Sequence, residues 1–327
     1  IVTKEMYSFN DKNEDVVCMI PEGTASCMRL AFENNLIYDR GIKKNRLYYL
    51  SNMYRHERPQ KGRYRQFTQI GVEFIGNDSM LDDIDLILMS KMFFDTINLG
   101  GLDLMINTLG SIDDRNKYSQ KLIDYFQKYN DSFTDQQKLT IKKNPLRLLD
   151  SKDDKLEDIL HSAPKINGHI NKESLNKFDF LLKNLEDLKI NYTIDEKLVR
   201  GLDYYNDLVF EWKTSKLGTQ DAVCAGGRYD DLAKIIGGQD IPAVGFAMGI
   251  DRIVELIDIS NDKTVVGLSI LTNEQYDCHK ISSILRKIED NIRLIQMDQE
   301  KSLSKQIKSA VKPNCDILVI VRDDEMS

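Results

Sequence analysis

The period of apolar and polar positions changes several times along the chain, and those changes divide it. Arg46 to Arg55, RLYYLSNMYR, is aromatic and alternating, as a strand is. Gln66 to Gly76, QFTQIGVEFIG, sets Thr68, Ile70, Val72 and Phe74 on one face and Phe67, Gln69, Gly71 and Glu73 on the other, so one face is core-like and the other free for chemistry. Two helices join the strands of the first hundred residues. TASCMRLAFENNL starts at Thr24, expected as its N-cap, and MLDDIDLILMSKMFFDTINL is expected to run up to Gly100-Gly101. From about Leu109 to Leu188 strand signals vanish, and NKYSQKLIDYFQKY and KESLNKFDFLLKNLEDL carry a 3.6-residue period with charged outer faces. Strand patterns return from Tyr192 to Met248 and end in a helix beginning near Gly249. The sheet segments on either side of the helical stretch therefore read as one domain. Beyond the polar run at 260–263, VGLSIL, CHKISSILRKI, IRLIQM, a Lys-rich helix and CDILVIV form a βαβαβ order. That order predicts a separate parallel sheet with right-handed crossovers.

Composition narrows the class without naming it. A length of 327 residues predicts about two domains, at roughly 150 residues each. There is no run of about 18 or more apolar residues and no signal-peptide pattern, so a soluble, cytoplasmic protein away from membranes is expected. Cys18, Cys27, Cys224, Cys278 and Cys315 lack C-x-x-C spacing and read as reduced thiols, not a disulfide or zinc framework. The net charge of -7 argues against non-specific nucleic-acid binding, though local basic surface remains at Lys43-Lys44-Arg46, Lys138-Lys142-Lys143-Arg147 and Lys301-Lys305-Lys308-Lys312. Each of these alone reads as a solvated face.

Candidate chemistry is densest between the two alternating strands, where YRHERPQKGRYRQFTQIGVE packs Arg55, Arg58, Lys61, Arg63 and Arg65. Guanidinium groups bind phosphate oxygens bidentately and keep their charge at neutral pH, so such a cluster on rigid strands suits a nucleotide triphosphate. No G-x-x-x-x-G-K-[ST] or G-x-G-x-x-G loop offers the alternative phosphate cradles. Taken singly, Tyr204 and Tyr205 read as core aromatics, Glu73 as an exposed strand residue and Gly226-Gly227 as a turn.

The block YRHE followed by GRYRQFTQ resembles motif 2 of class II aminoacyl-tRNA synthetases, specifically the histidyl-tRNA synthetase family. PEGTASCMR (Pro21 to Arg29), LVRGLDYYNDLVFEW (Leu198 to Trp212), AGGRYDDL (Ala225 to Leu232) and PAVGFAMGIDRI (Pro242 to Ile253) follow in the family's order across nearly the whole chain. RGLDYY together with AGGRYD is a signature that other class II synthetases lack. The resemblance implies an α+β fold, a class II antiparallel sheet flanked by helices, with a helical insertion and a C-terminal α/β anticodon-binding domain. Expected boundaries are 1–108 and 191–259 for the catalytic core, 109–190 for the insertion and 264–327 for the C-terminal domain. Relative to the family, motif 1 would precede Ile1 and the last elements of the C-terminal domain would follow Ser327.

The resemblance also implies a reaction. Histidine and ATP, with Mg2+ on the β- and γ-phosphates, give histidyl-adenylate and pyrophosphate, and the histidyl group then moves to tRNA(His). Arg200 and Arg55 take the catalytic positions at the α-phosphate. Glu57, Arg63, Phe67 and Arg252 join Arg55 in binding ATP: Phe67 stacks on adenine, Glu57 accepts from its amino group, and Arg252 holds the γ-phosphate. For histidine, Glu73 and Tyr205 meet the two imidazole nitrogens, Glu22 and Gln69 bind the α-amino group, Thr24 and Tyr204 complete the wall, and Tyr229 closes it. Family enzymes of this type are homodimers. Ile20 stands where Arg is usual and Asp251 where Glu is commoner, neither at an assigned catalytic position. The alternative is the synthetase-like regulatory subunit of ATP phosphoribosyltransferase, whose members tend to lose the RGLDYY block that is intact here.

Overall fold

The computed structural model describes residues 5–37, 45–60, 62–149, 151, 153–199, 204–218, 221–257, 264–270, 275–288, 292–298, 301–311 and 315–321. They fall into two compact units, divided between Ile257 and Asp258.

In the first unit a short hairpin, β1 (Ser8–Asn10) and β2 (Val16–Cys18), precedes helix α1 (Thr24–Glu33). The alternating segments form β3 (Asn45–Tyr54) and β4 (Gln66–Ile75), followed by α2 (Met80–Thr96) and β5 (Asp103–Thr108). Then comes the helical stretch: α3 (Ile112–Gln127), α4 (Asp135–Lys143), α5 (Leu146–Leu149), α6 (Glu157–His161) and α7 (Lys172–Asp187). The chain returns to the sheet as β6 (Thr193–Ile194), β7 (Asn206–Lys213), β8 (Ala222–Arg228), α8 (Leu232–Ile235), β9 (Ala243–Gly249) and α9 (Ile250–Leu256).

Among the described residues the sheet has seven strands in the order β3-β4-β9-β8-β7-β5-β6. Neighbours are antiparallel, as expected, except β5 and β6, which run parallel with Ile106 opposite Ile194. A parallel pair needs a long crossover, and the helical stretch between these two strands supplies it. The sheet is therefore mixed. On one face α2 and α7 pack, with Phe94 edge-on to Trp212 at 5.7 Å and the Trp212 indole N–H donating to Ser90 at 2.8 Å. The other face joins α1, α3 and α8 in a second core and carries the cavity described below.

Helix ends show where local signals misled. Thr24 does not cap α1: Gly23 holds the N-cap position, and the Glu22 carboxylate accepts the Ala25 N–H at 3.1 Å. The Thr24 hydroxyl points instead to Glu73, a partner 49 residues away that no local pattern contains. Helix α2 ends before the glycines, because Asn98 turns the chain with φ +54 just after the last helical residues. Ser79 caps its start by accepting the Leu81 N–H. Gly226 and Gly227 lie inside β8 beside a bulge opposite β7, not in a turn. A Cβ at Gly226 would meet the Gly245 carbonyl at 2.3 Å, so close strand approach explains the glycine there.

The second unit is a three-stranded parallel sheet in the order β11 (Ile292–Gln296), β10 (Thr264–Ile270), β12 (Ile317–Val321), with α10 (Gln275–Ile288) and α11 (Leu303–Val311) as crossovers. Leu268 of the central strand is fully buried, and the buried Ser269 hydroxyl donates to Gln306 at 2.7 Å.

Candidate active site

Strand β4 sets the axis of the site. Phe67, Gln69 and Glu73 share one face, and six residues of strand separate Phe67 from Glu73 by about 20 Å. A cavity of about 300 Å³ lies over that face, walled by the β3–β4 connection, the start of α1, Tyr204 and Tyr205, β8 and the first turn of α9.

At the Phe67 end the cavity is cationic. Arg55 donates from Nε to the Pro21 carbonyl at 2.8 Å, and its guanidinium sits 5.1 Å from the Phe67 ring centroid. Arg252, in the first turn of α9, donates from Nε to the Gly62 carbonyl at 2.6 Å and from Nη1 to the Ala222 carbonyl. Burial, with Arg63 and Arg55 close by, draws Arg252 below the ordinary arginine range. Such a group gains most from an arriving anion. Arg63 donates to Glu57 and lies 4.0 Å from Glu5. Two of the five cations of the basic segment, Arg55 and Arg63, therefore face the cavity, whereas Arg58 and Arg65 are exposed and Lys61 lies outside the described residues. Glu57 and Phe67, expected to meet a base, are here in contact with Arg63 and Arg55 respectively.

The other end is acidic and aromatic. Glu22, Thr24, Gln69, Tyr204 and Tyr205 line it. Burial raises Glu22 above the usual carboxylate range, against the pull of the Ala25 and Thr24 N–H groups. Glu73 lies under the floor, 1% exposed, and burial pushes it up to about 8 although two hydroxyls hold it: Thr24 donates to Oε1 at 2.8 Å and Tyr229 donates to Oε2. This corrects two expectations. Glu73 is a buried carboxylate, not an exposed strand residue, and Tyr229, itself buried, does not close the cavity wall but braces Glu73 from behind. Gly245 on β9, opposite Glu73, leaves the room that the carboxylate occupies.

Arg200 lies outside the described residues. The other candidate residues meet at this one cavity or directly beneath it. Comparison with known proteins decides the family: the histidyl-tRNA synthetase family description matches residues 2–253. Histidine–tRNA ligase of Francisella philomiragia is 39% identical over all of this chain and 78% of its own length, and that of Hydrogenovibrio crunogenus is 40% identical with the same coverage. The chain belongs to the histidyl-tRNA synthetase family. Among solved structures, apo histidyl-tRNA synthetase of S. aureus matches with a TM-score of 0.69 at 26% identity, over 98% of this chain and 80% of the other. A Bacillus halodurans protein titled ATP phosphoribosyltransferase regulatory subunit/histidyl-tRNA synthetase shares the fold at 21% identity, TM-score 0.61, over 98% of this chain and 84% of that one. The names of the roughly 40%-identical relatives do not favour the regulatory reading.

Several residues at the synthetase site escaped the sequence reading. Asp251, noted in the sequence only as a departure from the family pattern, has a role that reading missed: it accepts the Thr68 N–H at 2.7 Å and so ties α9 to β4. Ala222 to Ala225, including Cys224, form the β8 wall through small size alone. Glu5, far upstream in sequence, reaches the Glu57–Arg63 pair. Among the described residues no group of three or more His, Cys, Asp or Glu could hold a metal ion, and no helix is long and apolar enough to cross a membrane.

Proposed function

We propose that this chain activates L-histidine with ATP and transfers it to tRNA(His), with the cationic end of the cavity receiving the nucleotide and the Glu73 end the amino acid. The observation that carries this reading is the continuity of the two ends along one face of β4 in a chain of this family. A histidine carboxylate oxygen attacks the α-phosphorus, the bond to the β-phosphate breaks, and pyrophosphate leaves. In the second step a terminal ribose hydroxyl of the tRNA attacks the carbonyl carbon of the adenylate, and AMP departs.

Arg55 and Arg200 stabilise the negative charge that grows on the α-phosphate, and Arg252 and Arg63 hold the outer phosphates. For Arg63 and Glu57 to engage ATP, the ion pair between them opens, freeing Glu57 to accept from the adenine amino group, while Phe67 exchanges the Arg55 guanidinium for the base. Glu22 and Gln69 accept from the α-amino group. Glu73 accepts one imidazole N–H, Tyr205 meets the other nitrogen, and Thr24 and Tyr204 bound the pocket. Because the protein offers arginines instead of a carboxylate cage, Mg2+ fits as an ion held chiefly by phosphate oxygens, with one or two carboxylates at most; it would neutralise the β- and γ-phosphates.

The working protein is read as a cytoplasmic homodimer. Support for association comes from the sheet face opposite the cavity, where Tyr48 and Leu50 are exposed beside an open apolar groove of about 320 Å³ that includes Ile70, Val72 and Phe93. The 264–327 segment is read as the anticodon-binding domain. Charging of tRNA(His) with labelled histidine tests the function. Arg200→Ala should lower the adenylation rate at least about 10²-fold with little change in ATP affinity. A loss confined to ATP affinity would make Arg200 a ground-state ligand.

A further inference from the structure

Tyr49 lies on β3 directly opposite Gly71 of β4, between the cross-strand pairs that hold Gln69 and Glu73. Its ring fills space that only glycine leaves open: a Cβ on Gly71 would come within 2.1 Å of the ring, and one on Gly23 within 2.3 Å. Two backbones thus clamp the side chain from opposite sides. The phenol oxygen is sealed from solvent with Thr24 and Glu73 within its reach, yet it makes no well-aligned hydrogen bond to either. A buried hydroxyl without a partner is costly and uncommon, so this one marks a contact that the free site does not complete.

The neighbourhood says what that contact is. Glu73 is faced from α1 by Thr24 and Cys27 and from the residue before Gly23 by Glu22. Tyr49 faces it from β3, Tyr229 from the end of β8, and Tyr204 from the segment before β7; Tyr205 neighbours both Tyr49 and Tyr229. Thr24 spends its only proton on Glu73, which leaves its oxygen able to accept, and the carboxylate has lone pairs beyond those that Thr24 and Tyr229 use. Burial, and after it the Glu73 charge, raise the Tyr49 phenol far above its ordinary value, so it is a neutral donor at any working pH.

We propose that Tyr49 is a positioning residue that acts through Thr24 and Glu73: when a ligand N–H reaches the carboxylate, the Tyr49 hydroxyl closes onto this pair and holds Glu73 ionised and in place. The inference rests on the reading that Glu73 receives the imidazole. It deepens that reading by naming the group that keeps the receiving oxygen charged in a site that opposes charge.

Histidine-dependent pyrophosphate exchange of wild type and Tyr49→Phe, measured from pH 6.5 to 9.5, tests it. The substitution keeps the ring between the two glycines and removes only the donor, and taking the ratio of the two proteins at each pH cancels the titration of free histidine. At pH 7 the variant should need about tenfold more histidine, the scale of one hydrogen bond to a charged group, with the KM for ATP unchanged within about twofold. Toward pH 9.5, where Glu73 is ionised in both free proteins, the ratio should persist, because the bond is made to the ionised carboxylate in the complex and the variant cannot make it. A ratio of one at every pH would make Tyr49 a packing residue only and overturn the inference while leaving the histidine reading intact. A ratio that falls to one toward pH 9.5 would also overturn it, since Tyr49 would then make no bond to the ionised carboxylate. Wild type showing no histidine dependence would overturn the reading of the pocket and this inference with it.

Discussion

Glu73 and Gly245 stand opposite one another on β4 and β9, and a Cβ on Gly245 would lie 1.8 Å from Glu73 Oε2. The glycine is the socket of the carboxylate. Gly245→Ala should therefore raise the KM for histidine at least about tenfold and destabilise the fold by about 1–3 kcal/mol, the range for overpacking a full interior. Exchange kinetics and urea unfolding of the same preparation check both numbers. Unchanged histidine kinetics would mean that Glu73 does not need this position.

Glu73 also gives stability a pH slope. Its folded value of about 8 exceeds the ordinary 4.5, so between those values the native protein holds a proton more tightly than the unfolded chain, and stability falls as pH rises. The stabilising effect of the proton is fully present below about 4.5 and lost through about 8. Glu73→Gln carries no such proton. From pH 5 to 8.5 the variant should gain on wild type by up to a few kcal/mol, at about 1.4 kcal/mol for each pH unit between the two values. Parallel stability curves for the two proteins would contradict the assignment.

Arg252 ties two backbone carbonyls, Gly62 and Ala222, with one planar fork. Lysine keeps the charge but not the fork. Arg252→Lys should raise the KM for ATP by about tenfold or more while the KM for histidine stays within about twofold. A larger effect on histidine would move Arg252 out of the nucleotide end.

Arg228 is buried against Asp83, with Nη2 to Oδ1 at 2.9 Å, and reaches Asp230 at 3.2 Å. Burial pushes Asp83 up to about 7, against the pull of the Arg228 charge. Arg228→Met leaves that carboxylate buried without its cation and should cost about 3–5 kcal/mol in urea unfolding; adding Asp83→Asn should recover a measurable part. A loss below about 1 kcal/mol in the single variant would show that the pair is not needed.

Much of this was legible in the sequence because strand alternation and motif order are local. The faces of β4, the helical crossover and the parallel sheet of the second unit all follow from period and spacing. What local pattern could not reveal depends on partners far along the chain. Thr24 looked like a cap because Thr often is one; Glu22 had already satisfied the helix start, and Glu73 claimed the hydroxyl. Asn98 ended α2 ahead of the more obvious glycines because it too tolerates a positive φ. Tyr49 was missed although a signal existed: an aromatic residue paired across the hairpin with a glycine on the chemical face. Tyr229 was seen as a site residue but given the wrong surface, since its burial depends on how β8 packs against β4 and β9.

The central claim is that the Glu73 end of the cavity takes histidine while the arginine end takes ATP. Exchange of labelled pyrophosphate into ATP, run with each of the twenty amino acids in turn and without tRNA, tests it most directly. The account predicts exchange that depends on histidine and is lower by at least about 10³-fold in kcat/KM for the others, because a pocket built to hydrogen-bond its substrate rejects those that leave its polar groups unpaired. Comparable exchange with other amino acids, or exchange indifferent to histidine, would contradict it.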